Sequence, residues 1–224
     1  STPLAIESRI ADLKGPDTLR VSADGRKVGW TFSWGADPAT FDFERRLVVN
    51  TASAPNDLEP PDPGRGSGRA VWQDTLQARV NGSAVDLDPA EVSRALDFFP
   101  GSTDAALGTS FRLLRLDSRG RIGWQVRTAG EVRSVNVTGD GRMIVTGLSD
   151  GTLRWWRASD GAELLALLAT RDGRWVAWTP EGYFDASAGA DRLVGWTVNR
   201  STGEAADHFS LNRFREHYSR PDLV

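Results

Sequence analysis

Short apolar stretches separated by polar turns set the rhythm of this chain. Asp-Gly recurs at 24–25, 140–141, 150–151, 160–161 and 172–173. The dipeptide supplies the positive-φ positions that tight hairpins need. Between 141 and 150, and again between 151 and 160, lie runs rich in β-branched and aromatic residues. Leu153 and Trp155 alternate with Arg154 and Trp156, the period-two pattern of a half-buried strand. Strand, Asp-Gly, strand, Asp-Gly, strand predicts an antiparallel meander and not a helix.

The meander repeats. A shift of 41 positions lays Thr138 on Thr179, Gly141 on Gly182, Asp150 on Asp191, Trp155 on Trp196 and Glu163 on Glu204. Val135, Val137 and Leu153 then meet Val176, Trp178 and Val194. Upstream, Val21 to Arg26 (VSADGR) matches Val137 to Arg142 (VTGDGR) at a spacing of 116, close to three periods. Leu107-Gly108-Thr109-Ser110 matches Thr146-Gly147-Leu148-Ser149, and Gly120 matches Gly161. A period of ~41 is that of a four-stranded propeller blade. The expected fold is therefore all-β, a β-propeller segment of about four to five four-stranded blades. Four units can be argued along the chain, so the segment is expected to belong to a larger ring.

Two regions break the rhythm. Residues 54–68 hold four prolines and three glycines, a composition no strand interior tolerates, and are read as a mobile surface loop. Residues 89–96 (PAEVSRAL) suit one helical turn. Leu211, Phe214 and Tyr218 stand at helical intervals, which predicts a short helix or a tail after the last blade. The division expected is an N-terminal strand or linker over 1–18, blades over 19–209, and a C-terminal tail or linker over 210–224.

Composition narrows the chemistry. The 224 residues include no cysteine, which removes disulfides, thiol nucleophiles and thiolate metal sites together. His208 and His217 are the two histidines, nine positions apart, which does not fit a helical zinc pair. Of the 27 basic residues all but Lys14 and Lys27 are arginine, yet the net charge is −3. Phosphate-driven nucleic-acid binding needs the opposite balance. No apolar run approaches the ~18–20 residues of a membrane span, and no secretory signal opens the chain. A cytoplasmic protein is expected. Ser1 in place of a methionine, with Met143 the single methionine, suggests a piece cut from a longer polypeptide.

Gly147-Leu148-Ser149-Asp150-Gly151 fits the G-x-S-x-G elbow of serine hydrolases, but that elbow requires a helix after the serine. Here the strand-like Thr152-Leu153-Arg154-Trp155-Trp156 follows, and the repeat explains both glycines as hairpin residues. Each Asp-Gly turn offers one carboxylate, too few for calcium. No catalytic, cofactor-binding or metal-binding residue is assigned. Nine tryptophans remain to be placed. Trp30, Trp124, Trp155 and Trp196 fall on strand patterns and are assigned to the core. Trp34, Trp156 and Trp175 (and, less clearly, Trp72) are expected to face solvent. With Arg154, the first three form the candidate interaction surface, since exposed aromatics beside arginine make binding hot spots.

Trp178-Thr179-Pro180-Glu181-Gly182-Tyr183-Phe184-Asp185-Ala186-Ser187, then Leu193-Val194-Gly195-Trp196 and Asn199-Arg200, resemble the last blade of certain bacterial WD-repeat-like propellers. Asp150 to Trp155 (DGTLRW), Glu163 to Leu167 (ELLAL) and the closing Arg220-Pro221-Asp222 fit the same pattern. In that family the blades share a polypeptide with a caspase-like cysteine peptidase domain of the metacaspase or orthocaspase type. The match covers roughly residues 94–224. The chain lacks the Gly-His dipeptides of standard WD repeats, so a network built on that histidine is absent. It also lacks the cysteine such a peptidase needs.

The function expected is non-catalytic: a protein–protein interaction, scaffold or sensor propeller. What the resemblance implies is a place within a caspase-like protease. Its partners would be the remaining blades or the peptidase domain of the same polypeptide, or a second copy or fragment. The alternatives are a propeller hydrolase with a site in its central channel, and a propeller that binds a sugar or small metabolite.

Overall fold

The computed structural model describes residues 18–31, 38–50, 55–64, 67–198, 207–210 and 215–224, with backbone alone for 191, 196–198 and 207–210. Nearly all regular structure is antiparallel β. The first sheet runs β1 (Arg20–Val21), β2 (Lys27–Trp30), β3 (Ala39–Asp42), β4 (Leu47–Asn50), each strand pairing with the next. A small sheet follows, of β5 (Ala70–Val71), β6 (Arg79–Val80) and β7 (Ser83–Ala84). The third is a meander of β8 (Ser93–Phe98), β9 (Ala105–Thr109), β10 (Arg112–Leu116) and β11 (Ile122–Arg127). The fourth has six strands: β12 (Val132–Val137), β13 (Met143–Leu148), β14 (Thr152–Arg157), β15 (Glu163–Ala169), β16 (Trp175–Trp178) and β17 (Phe184–Ala186). A short 3-10 turn (Ala190–Arg192), a hairpin of β18 (Gly195–Val198) and β19 (Asp207–Ser210) and one helical turn, α1 (Arg215–Tyr218), complete the described elements.

Local chemistry makes the hairpins. Gly25, Gly141, Gly151, Gly161 and Gly173 all have φ between 69° and 86°, as the Asp-Gly pattern predicts. Three of these turns share Ser/Thr-x-Asp-Gly-Arg. In each, the hydroxyl of Ser22, Thr138 or Thr170 donates to the carboxylate two residues on, at 2.7, 2.6 and 2.5 Å. That carboxylate also accepts the amide of Arg26, Arg142 or Arg174. Such local side-chain bonds favour the turn over any competing helix.

The sheets stack face to face, as propeller blades do. Central strands are buried on both faces, so β9 reads as an unbroken run of small and apolar residues, while edge strand β11 alternates. Leu96, Phe98, Leu107, Leu114 and Leu116 of the third sheet pack on Ala78, Val80 and Val85. Its other face meets Val132, Val135, Ile144 and Trp156 of the fourth. There the sheets come so close that a Cβ at Gly108 would overlap Val132. The far face of the fourth sheet, through Val145, Trp155, Leu167 and Trp175, packs on Leu19, Val28, Trp30 and Phe41 of the first.

Hydrogen bonds close the same circuit at the inner strands. Val21 and Glu59 exchange both backbone bonds at 3.0 Å, linking the first sheet to the segment that leads into the small one. Asp62 N–H donates to Asp97 Oδ1 and Val137 N–H to Asp97 Oδ2, each at 2.8 Å, which joins that segment to β8 and β12. Asn136 Nδ2 donates to Leu19 O at 3.2 Å and Glu59 O at 2.9 Å, returning to the first sheet. Four blade-like units thus meet around one hub among the described residues. The number equals that read from the sequence but the units differ: the one expected from residue 176 belongs to the fourth sheet, and the small sheet takes its place. The larger ring does not follow, because among the described residues the fourth sheet already covers the first.

Three local expectations change. Residues 93–98 form a strand and no helical turn: Asp88-Pro89-Ala90-Glu91 makes a tight turn, closed by Glu91 N–H to Asp88 O at 3.0 Å. The Ser93 hydroxyl then bonds the carbonyls of Trp72 and Thr75. The described part of the Pro/Gly segment, 55–64 and 67–68, is irregular but anchored. Leu58 and Pro61 are buried, Glu59 pairs with Val21, and Asp62 bonds Asp97. The third change concerns β16, which the 41-residue shift places where β12 begins a blade. The tight turn at Thr170–Arg174 instead folds it straight back on β15, with Ala169 opposite Trp175 and Ala166 opposite Trp178. The expected strand within 1–18 lies almost wholly outside the described residues.

Candidate functional site

The seam between the first and fourth sheets opens into a cleft of about 870 Å³. Its floor is apolar. Phe43 follows β3, Trp155 comes from β14, Leu164 and Leu165 from β15, Trp175 and Ala177 from β16, and Met143 opens β13. The rings interlock edge to face: Phe41 with Phe43 at 4.7 Å, Phe41 with Trp175 at 4.8 Å, and Phe43 with Trp155 at 5.3 Å. Such offset contacts fix ring orientation beyond simple area burial. Trp155 Nε1 is already used, donating to Gly25 O at 3.0 Å.

The rim is charged. Two Ser/Thr-x-Asp-Gly-Arg turns bring Asp24 and Arg26 beside Asp140 and Arg142. The Ser22 hydroxyl and Arg26 amide hold the Asp24 carboxyl below its ordinary range, so it is a fixed anion near neutral pH. Arg46 is the unusual member. It has φ 52° in the β3–β4 turn, at the step where the β14–β15 turn has Gly161. Left-handed conformations are costly for residues with a Cβ. Its guanidinium bonds Asp185 Oδ2 at 2.7 Å and Pro221 O at 2.8 Å. Positions 46, 185 and 221 are thereby tied together across the seam.

The motif Trp178 to Ser187 forms part of this wall. Thr179 and Tyr183 close the β16–β17 hairpin, with Thr179 N–H donating to Tyr183 O at 2.9 Å. Asp185 meets Arg46, and Phe184 accepts the Arg220 amide at 3.0 Å. Arg220 then pairs with Asp222 at 2.7 Å. The Asp222 carboxyl is lowered by Arg220 first and by Arg46 more weakly.

The residues chosen from the sequence do not converge. Trp156 and Trp175 are each 4% exposed and lie in different core clusters, on opposite faces of the fourth sheet. Strand alternation sends one of each adjacent pair to either face, and here both faces are covered. The expected solvent-facing positions are therefore corrected to core positions, although Trp175 reaches the cleft floor. Trp156 Nε1 donates to the Thr146 hydroxyl at 2.8 Å, satisfying the indole without histidine. Arg154 is mostly buried between Glu163 at 2.7 Å and Asp150 at 3.5 Å. Trp34 lies outside the described residues. Trp30 and Trp155 are core as expected, and Trp72 and Trp124 are half-buried. Phe43, Arg46, Leu223 and Val224 escaped the sequence reading, and Pro221 and Asp222 entered it only as part of the family-like pattern, not as site residues. Arg46 carries no local signal, because its partners lie 139 and 175 positions away.

Ser149 lies in a hairpin, where its Oγ accepts the Glu131 amide at 2.9 Å, and β14 follows it. A second polar centre is fully buried. Glu91 accepts from Arg112 Nε at 2.8 Å, from Arg112 Nη2 and from the Thr109 hydroxyl at 2.5 Å. Burial alone would raise the Glu91 carboxyl; Arg112, Thr109 and the Asp88 amide more than offset it and hold it lowered. Among the described residues no group of three or more His, Asp or Glu side chains is placed to hold a metal ion. No described helix is long and apolar enough to cross a membrane.

No protein-family model and no curated protein matches the chain. Among solved structures, the β-propeller domain of Cps50 (Swd1) from Myceliophteria thermophila is similar. That likeness covers 76% of this chain and 71% of that one, at 14% identity and a TM-score of 0.40. The propeller assignment rests on this chain's own stacked meanders and the hub that joins them.

Proposed function

We propose that this chain is a non-catalytic interaction or regulatory propeller, and that its setting is a bacterial, cytoplasmic, caspase-like protease. The observation that carries the reading is the seam cleft. It offers an apolar, aromatic floor and a charged rim on a frame held by core packing between successive sheets and by backbone bonds between Val21 and Glu59. Rigid scaffolds with variable loops suit recognition. The carboxylate at the hub, by contrast, is engaged: both oxygens of Asp97 accept backbone amides and the residue is 0% exposed. A hydrolase working from the channel would need that group free.

The link to a peptidase is inferred from the Trp178–Ser187 and Arg220–Asp222 motifs, which lie side by side around β17. The test is calorimetric titration of the purified chain with a caspase-like peptidase domain from the same source. Peptidase turnover is followed with and without the chain. Saturable binding with altered turnover, and no hydrolysis of ester or peptide panels by the chain alone, is expected. Turnover by the chain alone that Ser149→Ala abolishes would overturn the non-catalytic reading. Absence of binding would overturn the peptidase setting.

A further inference from the structure

The seam cleft is partly filled by the chain itself. After the helical turn, Ser219 bridges Phe184 in parallel and the Arg220 amide donates to Phe184 O, so the segment adds to the edge of β17 by main-chain bonds. Arg46 then holds Pro221 O at 2.8 Å. Pro221, Asp222, Leu223 and Val224 all line the cleft, and Val224 packs on the core cluster that contains Trp155 and Trp175. We propose that this cleft is a docking site for a short acidic–apolar peptide, held in cis by residues 221–224.

Three observations support a replaceable occupant of this chemistry. First, the mode is that of strand addition: main-chain bonds at a sheet edge give affinity and side-chain pockets give selectivity. Second, the fit is partial. Leu223 remains 46% exposed, and a cleft of about 870 Å³ has the size of a ligand site and not of a packing gap. Third, the rim mixes Asp24, Glu44, Asp140 and Asp185 with Arg26, Arg46, Arg142 and Arg157, and two of these arginines are placed to meet a carboxylate of the occupant. Arg46 is bound to the segment, and among the described residues the exposed Arg142 guanidinium has no ion-pair partner. An incoming peptide with Asp or Glu before two apolar residues would meet both arginines and seat its apolar side chains beside Met143, Leu164 and Leu165. This inference rests on the interaction reading above, which the same cleft carries; peptidase binding retained without any peptide binding would sink the inference and leave that reading standing.

The probe is the acetylated peptide SRPDLV, the sequence of residues 219–224, titrated into the full chain while tryptophan emission is followed. Val224→Asp removes the apolar anchor of the resident segment. That variant is expected to bind the peptide at least tenfold more tightly than the parent chain. The peptide SRPKLV should bind Val224→Asp at least fivefold more weakly. Arg142→Glu, an exposed change that leaves the core untouched, should weaken SRPDLV in the parent background and narrow its advantage over SRPKLV. Equal affinity of parent and Val224→Asp, no saturable binding at millimolar peptide, or indifference to the Asp-to-Lys exchange would each overturn the proposal.

Discussion

Glu91 shows how a single residue can be costly and indispensable together. A carboxylate at 0% exposure is tolerated because Arg112 grips it in two places while Thr109 and the Asp88 amide fill its remaining acceptor sites. Removing one partner of such a pair leaves the other buried and uncompensated, at a cost of ~3–5 kcal/mol. Glu91→Gln is thus expected to lower the denaturant midpoint by that equivalent, and a loss below ~1 kcal/mol would refute the buried-pair account. The pair also sets a pH dependence. Because the folded Glu91 carboxyl is lowered from 4.5, its contribution is present above that value and fades as pH falls through the folded value. Stability between pH 5 and 3 should therefore fall less steeply in Glu91→Gln than in the parent. Next to it, Ala90 has φ 64° at the third position of a turn that begins Asp88-Pro89, where type II geometry favours glycine. Ala90→Gly should be neutral or stabilising by up to ~1 kcal/mol, unlike most alanine-to-glycine changes. A destabilisation above ~1 kcal/mol in chemical denaturation would show that the turn does not carry this strain.

At the scale of elements, what was legible in the sequence is what local chemistry decides. Asp-Gly marks hairpins because glycine reaches positive φ and the aspartate caps the next amides, and every such pair forms a turn. The strands between them follow. What stayed hidden depends on partners far along the chain. The 41-residue correspondence between 135–163 and 176–204 is real in residue types, yet β16 pairs with β15. The short turn at Thr170–Arg174 leaves no length for a crossover to a new sheet. Segment 54–68 reads as free loop from its prolines and glycines, but Leu58, Glu59 and Asp62 find fixed partners at Gly29, Val21 and Asp97. The tryptophans carry the same lesson: period two says that Trp155 and Trp156 face opposite ways, and only stacking shows that both ways are covered. Amide exchange tests the loop directly. The amides of Glu59 and Asp62 should exchange as slowly as those of β12, while Asn56 and Asp57 at the exposed turn exchange fast. Uniformly fast exchange across 55–64 would return the segment to the status of a free loop.

The whole molecule is held by a circuit, and its centre is Asp97. Core packing links the fourth sheet to both the third and the first, and the hub bonds draw the inner segments together from all sides. Among the described residues the exposed large apolar side chains, Leu47, Val49, Val71, Leu76 and Leu223, lie on the edge strands β4 and β5 and in turns. Among the described residues the four units cover one another's inner faces. The chain is expected to run as a monomer of 24.4 kDa in size exclusion with light scattering, and to melt in one cooperative transition. Asp97→Ala is the decisive variant. It strips the acceptor from two amides, the half-buried one of Asp62 and the buried one of Val137, and an orphaned buried donor costs ~1–3 kcal/mol. For a chain of this size that corresponds to a fall in Tm of roughly 5–20 °C, with the transition still single because every unit leans on the hub. An open segment would behave otherwise. It would self-associate through an uncovered sheet face, and Asp97→Ala would split the melt into a weakened third sheet and an unaffected remainder. Concentration-dependent mass or a two-step melt would therefore disprove closure by four units.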